Sequence, residues 1–310
     1  MNTKRAFTLV EILTVTVIIG ILVTLVAVAV AAAMQAAKRG RIAMEMSQIA
    51  MALERYKAEF GEYPPDMFDD DALVRHVKKR WPRLDMEELV TTTGAADYAA
   101  AIRTALQIAY NSCLGSTNVK FQDTQTEAGS LVLWLGGFPN ADGKLSGFFA
   151  DPENPFTPSD AFDNKVFVDL TIGDNNRVRL FSVGSNRVVP VIGTEIRDTF
   201  VPFVYFRGKS DGGSDAYVSN GQVKQFDFSV SGLGLCVPYK EDVDEVNGSE
   251  TIMKWKNPTT FQLLHPGLDG KFSETTETER IIKSGSGISS ADLDNLTNFS
   301  EYKELKSILP

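Results

Sequence analysis

The chain has 310 residues, of which 43% are hydrophobic and 23% are charged, and its formal net charge is −9. These values fit a globular protein with one additional apolar segment. The acidic balance argues against nucleic acid as a partner, because phosphate binding requires a basic surface. The two cysteines, Cys113 and Cys236, cannot form a zinc site alone. They could pair in an exported domain or remain as two buried thiols.

An uncharged apolar run, Ile12–Ala37, dominates the amino-terminal part of the chain. A membrane-spanning helix needs roughly 20 apolar residues, so the run is long enough to cross a bilayer. Glu11 directly precedes it, where a carboxylate costs about 2–3 kcal/mol on insertion scales and usually has a function. Basic residues flank both ends of the run, so the charge distribution does not determine its orientation.

The segment Phe7-Thr8-Leu9-Val10-Glu11 resembles the prepilin signature that type IV pilins and type II secretion pseudopilins share. The resemblance implies that a prepilin peptidase cuts between Ala6 and Phe7 and that Phe7 is N-methylated. It also implies that Glu11, the fifth mature residue, neutralises the amino terminus of Phe7 in its own or a neighbouring subunit. Ala6 stands where the family usually has glycine.

The alternative to a prepilin leader is a signal peptide that is removed. Ala31-Ala32-Ala33 offers the small residues that such a cut requires. The charge of Glu11 and the length of the apolar run, which exceeds the 7–15-residue core of a signal peptide, favour the prepilin interpretation.

The helix is predicted to continue beyond Ala37, because apolar residues recur every three or four positions on one face. Gly61 and Pro64-Pro65 predict its end. At about 1.5 Å per residue, a helix from Phe7 to Phe60 would be roughly 80 Å long. A short coiled coil is the alternative for the apolar face. That face comprises Ile42, Met46, Ile49, Leu53, Tyr56 and Phe60.

The end of this helix strengthens the family resemblance. Within Met51–Pro64, a Tyr56-Lys57 pair runs into Gly61-Glu62-Tyr63-Pro64. This pattern is similar to the helix end of the major type II secretion pseudopilin, where Tyr-Lys precedes Gly-x-Tyr-Pro.

These patterns predict an α+β fold in which a long amino-terminal helix, with a membrane-spanning first half, packs on a mostly antiparallel β domain with a helical and loop insertion. The predicted segments are a prepilin leader (1–6), a transmembrane or filament-core helix (7–37), its amphipathic continuation (38–63), the insertion (64–130) and the β-rich domain (131–310).

Within the insertion, a helix is predicted over Ala95–Tyr110. The acidic run Asp69-Asp70-Asp71 and the basic stretch Arg75–Arg83 are expected to be solvated. The alternative is that these opposite charges meet between neighbouring subunits. From Leu131 onward, short apolar runs alternate with turns, beginning with Leu131–Leu135. Lys165–Ile172 and Arg177–Val183 alternate across Gly173–Asn176 and predict a hairpin. Further strands are predicted at Phe200–Phe206, Val223–Val230 and Phe261–Leu264.

The sequence contains no motif that indicates catalysis. The two histidines, His76 and His265, are far apart in the chain, and no Gly-x-Ser-x-Gly elbow, phosphate loop or His-Glu-x-x-His motif occurs. We therefore expect a protein that is not an enzyme.

A calcium site is the one ligand site that the resemblance implies. Pro266–Lys271 is similar to the region before the calcium loop of the major pseudopilin, and Ala291–Phe299 is similar to the acidic segment that closes it. The resemblance implies Asp269, Asp292 and Asp294 as calcium ligands. The alternative is a plain turn at Asp269-Gly270 and a cap or turn role for Asp292.

The expected function is that of a pseudopilin subunit of a type II secretion system. The resemblance implies a single-pass inner-membrane protein with a periplasmic globular domain that polymerises into a periplasmic filament driving protein export. The implied partners are further copies of the chain, the prepilin peptidase, the membrane, the inner-membrane secretion platform and minor pseudopilins, with no nucleic acid. The alternatives are a type IV pilus subunit for adhesion or motility, and an exported soluble domain behind a signal peptide.

Overall fold

The computed structural model describes residues 8–115, 119, 129–172, 178–184, 187–196, 199–209, 211–248, 250–273 and 279–310. The chain divides into two compact units, Met1–Ile42 and Ala43–Pro310. The predicted α+β class with a long amino-terminal helix and antiparallel sheets is confirmed.

Helix α1 extends from Leu9 to Phe60. It ends where the sequence predicted, because Gly61 takes a left-handed conformation with a φ of 78° that other residues adopt only with strain. The Gly61 amide donates to the carbonyl of Lys57 at 2.7 Å and closes the last turn. Pro64, which cannot continue a helix, follows three residues later.

The part of α1 within the second unit is amphipathic, as predicted. Met46, Ile49, Leu53 and Tyr56 are buried, and Phe60 is half-buried. The Tyr56 ring lies 4.6 Å from the Phe60 ring, and an aromatic residue of the β-rich region packs on the same ring at 5.0 Å. This helical stripe therefore forms part of the core of the second unit.

Three further helices occupy the predicted insertion: α2 (Asp70–Arg80), α3 (Met86–Thr93) and α4 (Tyr98–Leu114). An aspartate precedes each helix and accepts a hydrogen bond from a first-turn amide, which satisfies a donor that the helix leaves free. Asp69, the first residue of the acidic run, thus caps α2, and Asp70 and Asp71 lie in its first turn. Helix α4 begins and ends later than the predicted Ala95–Tyr110, since its cap is Asp97.

The apolar run Leu131–Leu135, predicted to open the β-rich region, is not a strand. It forms α5 (Ser130–Gly136), and all seven residues of this helix are buried. A short run that is buried on every side has no periodicity by which a strand and a helix differ. Gly137 then ends the helix with a φ of 74°, and a Cβ there would lie 2.1 Å from the carbonyl oxygen of Gly147.

The first sheet contains β1 (Val178–Gly184), β2 (Arg187–Ile196) and β3 (Thr199–Pro202) in that order. The predicted hairpin is wrong in its partner, because the antiparallel partner of β1 is β2. The described contact of β1 with Lys165–Ile172 is an isolated parallel bridge between Ile172 and Val178. The predicted turn at Gly173–Asn176 lies outside the described residues. Pro190 interrupts the sequence pattern of β2; it pairs with β1 at a point where β3 does not flank the other side.

The second sheet has the order β12-β11-β4, with β4 at Val204–Arg207, β11 at Phe261–His265 and β12 at Leu296–Thr297. It confirms the predicted strand at Phe261–Leu264. The predicted strand Phe200–Phe206 is divided at Phe203 into β3 and β4, which belong to different sheets.

Three short antiparallel ribbons complete the described sheet structure. They are β5 (Val218–Ser219) with β6 (Gln222–Val223), β7 (Phe226–Asp227) with β8 (Leu235–Cys236), and β9 (Glu245–Asn247) with β10 (Glu250–Ile252). The predicted strand Val223–Val230 is therefore interrupted, and a 3-10 turn at Ser229–Ser231 follows β7.

Candidate functional site

The first candidate site is the start of helix α1, where Thr8 and Glu11 cap the helix reciprocally. The backbone amide and the hydroxyl of Thr8 both donate to Glu11 Oε2 at 2.8 Å, and the Glu11 amide donates to Thr8 Oγ1 at 3.2 Å. This arrangement is a capping box, which satisfies helix donors that lack an intrahelical partner. The predicted processing residues Ala6 and Phe7 lie outside the described residues.

The first unit exposes an apolar surface on every face of α1. All large apolar side chains from Leu9 to Met34 are between 50% and 82% exposed. Contiguous apolar surface of this extent marks a site of membrane or protein contact. By length and composition the helix is able to span a membrane, although a signal sequence or the core helix of a soluble protein would also meet that criterion.

The hydroxyl groups within this apolar segment have partners on their own helix. Thr14, Thr16 and Thr24 each donate to a backbone carbonyl one turn earlier, at distances of 2.8–3.0 Å. In an apolar environment an unsatisfied hydroxyl would be costly. The hydroxyl donors of the three threonines would therefore be satisfied in such an environment.

The second candidate site is the end of α1, where the residues of the Tyr-Lys…Gly-x-Tyr-Pro pattern meet buried charges. The hydroxyl of Tyr56 lies 2.6 Å from His76 Nε2, and His76 Nδ1 lies 3.1 Å from Glu62 Oε1. Arg207 Nη2 donates to the other oxygen of Glu62 at 2.8 Å. One continuous hydrogen-bonded chain thus connects α1, α2 and β4.

The electrostatics of this chain define its protonation states. Burial lowers the pKa of His76, although the Glu62 carboxylate opposes this effect. Burial alone would raise the pKa of Glu62, but the hydrogen bond from His76 and the charge of Arg207 outweigh it and hold that pKa at about 2. At neutral pH His76 is therefore a neutral ring that donates from Nδ1 to Glu62 and accepts from Tyr56 at Nε2.

Two further contacts fix the chain direction after α1. The Tyr205 hydroxyl donates to the carbonyl of Pro64 at 2.8 Å, and the Tyr63 hydroxyl donates to Glu54 Oε1 at 2.8 Å. Asp66 forms a buried ion pair with Lys224 at 2.7 Å and also accepts from the Arg207 amide. The matched sequence pattern is therefore, in this chain, the junction that attaches α1 to the sheet of β4.

The structure brings together only two of the three residues predicted to bind calcium. Asp294 Oδ2 accepts hydrogen bonds from the amides of Leu268 and Asp269, at 2.8 and 3.1 Å. Burial, with the nearby charge of Asp294, raises the pKa of Asp269 to about 6. Burial also raises the pKa of Asp294. This pair encloses the turn that contains Gly267 and Gly270.

Asp292 belongs to a different group of contacts. Its Oδ1 lies 3.4 Å from Arg280 Nε and accepts from the Tyr239 hydroxyl at 3.1 Å, while its Oδ2 accepts from the amide and hydroxyl of Ser289. Asp292 and Arg280 are both fully buried. The guanidinium already neutralises this carboxylate, so the three aspartates do not form one ligand set. Across the described part of the chain, no group of three or more His, Cys, Asp or Glu side chains is placed to hold a metal ion.

The two cysteines are free thiols in the structure. Cys113 is half-buried in α4, and burial raises its pKa to about 11; Cys236 is buried in β8. Neither thiol is therefore activated as a nucleophile at neutral pH.

Sequence reasoning did not identify Arg80, although it anchors the aromatic cluster at the end of α1. Its guanidinium lies 4.3–5.9 Å from the ring centres of Tyr56, Phe60, Trp81 and Phe148. Its position inside a basic run indicated a solvated face, and only tertiary contacts distinguish it from its neighbours.

Comparisons of the chain with protein-family profiles, with curated proteins and with solved structures found no match.

Proposed function

We propose that the protein is a pseudopilin, a structural subunit that is processed by a prepilin peptidase and polymerised into a periplasmic filament of a type II secretion system. Before assembly it is held in the inner membrane by the first half of α1, with the second unit in the periplasm. The observation that carries the proposal is a carboxylate, Glu11, at the start of a helix whose apolar side chains are exposed on every face.

The apolar environment that the first half of α1 requires supports the proposal that the chain assembles into a filament. In a membrane or a bundle of such helices, the exposed side chains from Leu9 to Met34 leave water. A lone carboxylate is costly there, whereas one paired with an amino terminus is much less so. The second half of α1 is integrated into the globular unit and attached at Pro64 and Glu62. The proposed filament subunit therefore carries its apolar assembly segment on the same helix whose last turns belong to the globular unit.

The test separates the charge of Glu11 from its capping role. Glutamine can replace glutamate in a capping box, so Glu11→Gln keeps an acceptor for the Thr8 amide but removes the charge. Glu11→Ala removes both, and Thr8→Ala removes the hydroxyl while retaining the charge. Each full-length variant is produced with the prepilin peptidase and the secretion platform, and sheared filament yield and membrane insertion are measured separately.

We expect both Glu11 variants to remain inserted and to lose filament assembly, because an amino terminus left buried without a partner costs about 3–5 kcal/mol. Thr8→Ala should assemble, since a cap contributes only about 1 kcal/mol. Normal filament yield from Glu11→Ala would refute the role of the carboxylate. Normal yield from Glu11→Gln alone would assign Glu11 to capping.

The mature amino terminus provides an independent test. Mass spectrometry of the membrane form should show N-methylated Phe7 as the first residue. Ala6→Gly restores the residue usual in the family and should be processed at least as fast. A mature chain that begins near Met34 would instead indicate a removed signal peptide and an exported soluble domain.

A further inference from the structure

A polar cavity of about 450 Å³ lies beside the end of α1, between α2 and the loop after β4. Its volume is within the range of sites that bind small ligands. Ten of the thirteen residues that line it are charged, five of each sign. The cavity therefore has no net charge, and the distribution of its charges determines which ligand would fit.

The innermost charges of the cavity are already paired. Asp66 and Lys224 lie 2.7 Å apart, and Glu62 and Arg207 lie 2.8 Å apart. These four side chains satisfy one another and provide little net attraction for a simple ion. Arg207 still has one donor, Nη1, that lacks a hydrogen-bond acceptor among the described residues.

The charges on the α2 wall are not paired in this way. Asp71, Arg75 and Lys79 are spaced by four residues, so they lie along one face of α2. Neither Asp71 nor Lys79 has a hydrogen-bond or ion-pair partner within the described ranges, and Arg75 approaches a carboxylate oxygen only to 3.9 Å. This wall is negative at the start of α2 and positive about 12 Å further along the helix.

Other anionic residues argue against a phosphate ligand. Asp69 and Asp211 also line the cavity and add negative charge to it. A multiply charged anion would be repelled by them, while a simple cation would be repelled by Arg75 and Lys79. A ligand with one charge of each sign satisfies both ends of the wall.

We propose that this cavity binds a short zwitterionic peptide with free ends. Its carboxylate lies between Arg75 and Lys79, and its amino group faces Asp71. The point midway between Arg75 and Lys79 lies about 9 Å along the helix from Asp71. An extended peptide of about three residues spans this distance. Arg207 lines the same cavity, so the ligand is held next to the junction that attaches α1 to β4. This binding is independent of membrane insertion and filament assembly.

The test is isothermal titration calorimetry on the full chain in a nonionic detergent at low ionic strength, with triglycine as the probe. N-acetyl-triglycine lacks the amino charge, triglycinamide lacks the carboxylate, and inorganic phosphate tests a simple anion. We expect saturable triglycine binding with a dissociation constant of about 1 mM or below, and binding about tenfold weaker or worse for the three other compounds. Added salt should weaken the triglycine binding.

Variants on α2 locate the site. Lys79→Gln and Asp71→Asn, both at exposed side chains, should weaken triglycine binding about tenfold. Lys78→Gln is the matched control, because Lys78 lies on the same helix but over the Tyr98 ring and away from the cavity. Circular dichroism confirms that each variant is folded.

Several outcomes would overturn the proposal. These are the absence of saturable triglycine binding, equal binding of N-acetyl-triglycine or triglycinamide, tighter binding of phosphate, and equal effects of Lys78→Gln and Lys79→Gln. Loss of filament assembly in these variants would not bear on it, so this test and that of the proposed function fail separately.

Discussion

His265 makes the stability of the second unit sensitive to acid. Its side chain is fully buried in β11, with its ring centre 4.8 Å from that of Phe203. Neither ring nitrogen has a hydrogen-bond partner in the described residues. Burial lowers the pKa of His265 to about 3, and no charged group contributes to this shift. The folded protein therefore holds a neutral histidine that would be an ordinary base after unfolding.

The sign and the size of the effect follow from linkage. In the unfolded chain the ring takes up a proton as the pH falls below 6.5, whereas the folded chain does not take one up until the pH approaches 3. Stability is therefore fully present above pH 6.5 and is lost as the pH falls between these values. At about 1.36 kcal/mol per pH unit, His265 removes about 3 kcal/mol between pH 6.5 and pH 4.5.

The substitution His265→Leu isolates the contribution of His265 to the pH dependence of stability. At pH 7 leucine should stabilise the protein by about 1–3 kcal/mol, because it removes a buried polar group that lacks a partner. The advantage of the variant should grow by about 3 kcal/mol on going to pH 4.5. His76 and all carboxylates are common to both chains, so their contributions cancel in the difference.

The assay is urea unfolding of both full-length chains in nonionic detergent across this pH range. The fluorescence of Trp81, Trp134 and Trp255 reports on it, because all three tryptophans lie in the second unit. A stability difference that does not change with pH would refute the reasoning, since it would mean that folded His265 titrates normally. A less stable variant at pH 7 would show that the ring makes a favourable polar contact.

Three other perturbations test the interior of the second unit by urea unfolding or melting. Arg80→Met should lower the free energy of unfolding by about 2 kcal/mol, because the guanidinium packs on several rings in a desolvated site. Arg80→Lys should recover little of this loss. An Arg80→Met variant as stable as the original chain would contradict this prediction. Lys224→Met should lower the free energy of unfolding by about 3–5 kcal/mol, because it leaves the buried Asp66 carboxylate without its ion-pair partner. Lys165→Met, which breaks an exposed ion pair, should lower it by less than about 1 kcal/mol. Similar losses in the two variants would contradict this difference between buried and exposed pairs. Excess EDTA should leave the melting temperature unchanged, because Asp292 is already neutralised by a guanidinium; a fall that added calcium reverses would instead support the predicted calcium site.

The long helix could be predicted from sequence because its signals are local. The apolar stripe has the period of a helix, and Gly61 and Pro64 act within one turn. The cap at Asp97 displaced the predicted start of α4 by a few residues for the same kind of local reason. The capping box at Thr8 and Glu11 was not predicted, although its signal is local too: a threonine is followed three residues later by a glutamate before an apolar run.

The elements that sequence reasoning missed depend on tertiary contacts. Leu131–Leu135 is apolar throughout, so only its burial on all sides distinguishes a helix from a strand. The partner of β1 could not be chosen from alternation, because Pro190 disguised β2. The Asp66–Lys224 pair joins residues separated by 158 positions, and no local spacing identifies it. Likewise, the calcium prediction rested on a family resemblance near Asp269 and Asp292, and sequence alone could not show that the Asp292 carboxylate contacts Arg280.

Two roles of Glu11 are distinct: it caps helix α1, and its charge is proposed to pair with an amino terminus. The fold of the isolated helix explains a capping acceptor at this position, and glutamine would provide one without a charge. A carboxylate at the edge of an apolar segment also carries a full charge, which a neutral glutamine lacks and which needs a partner of opposite charge in an apolar environment. Capping by itself therefore does not require the charge, whereas the proposed pairing with an amino terminus would use it. Comparison of Glu11→Gln with Glu11→Ala measures these two contributions apart.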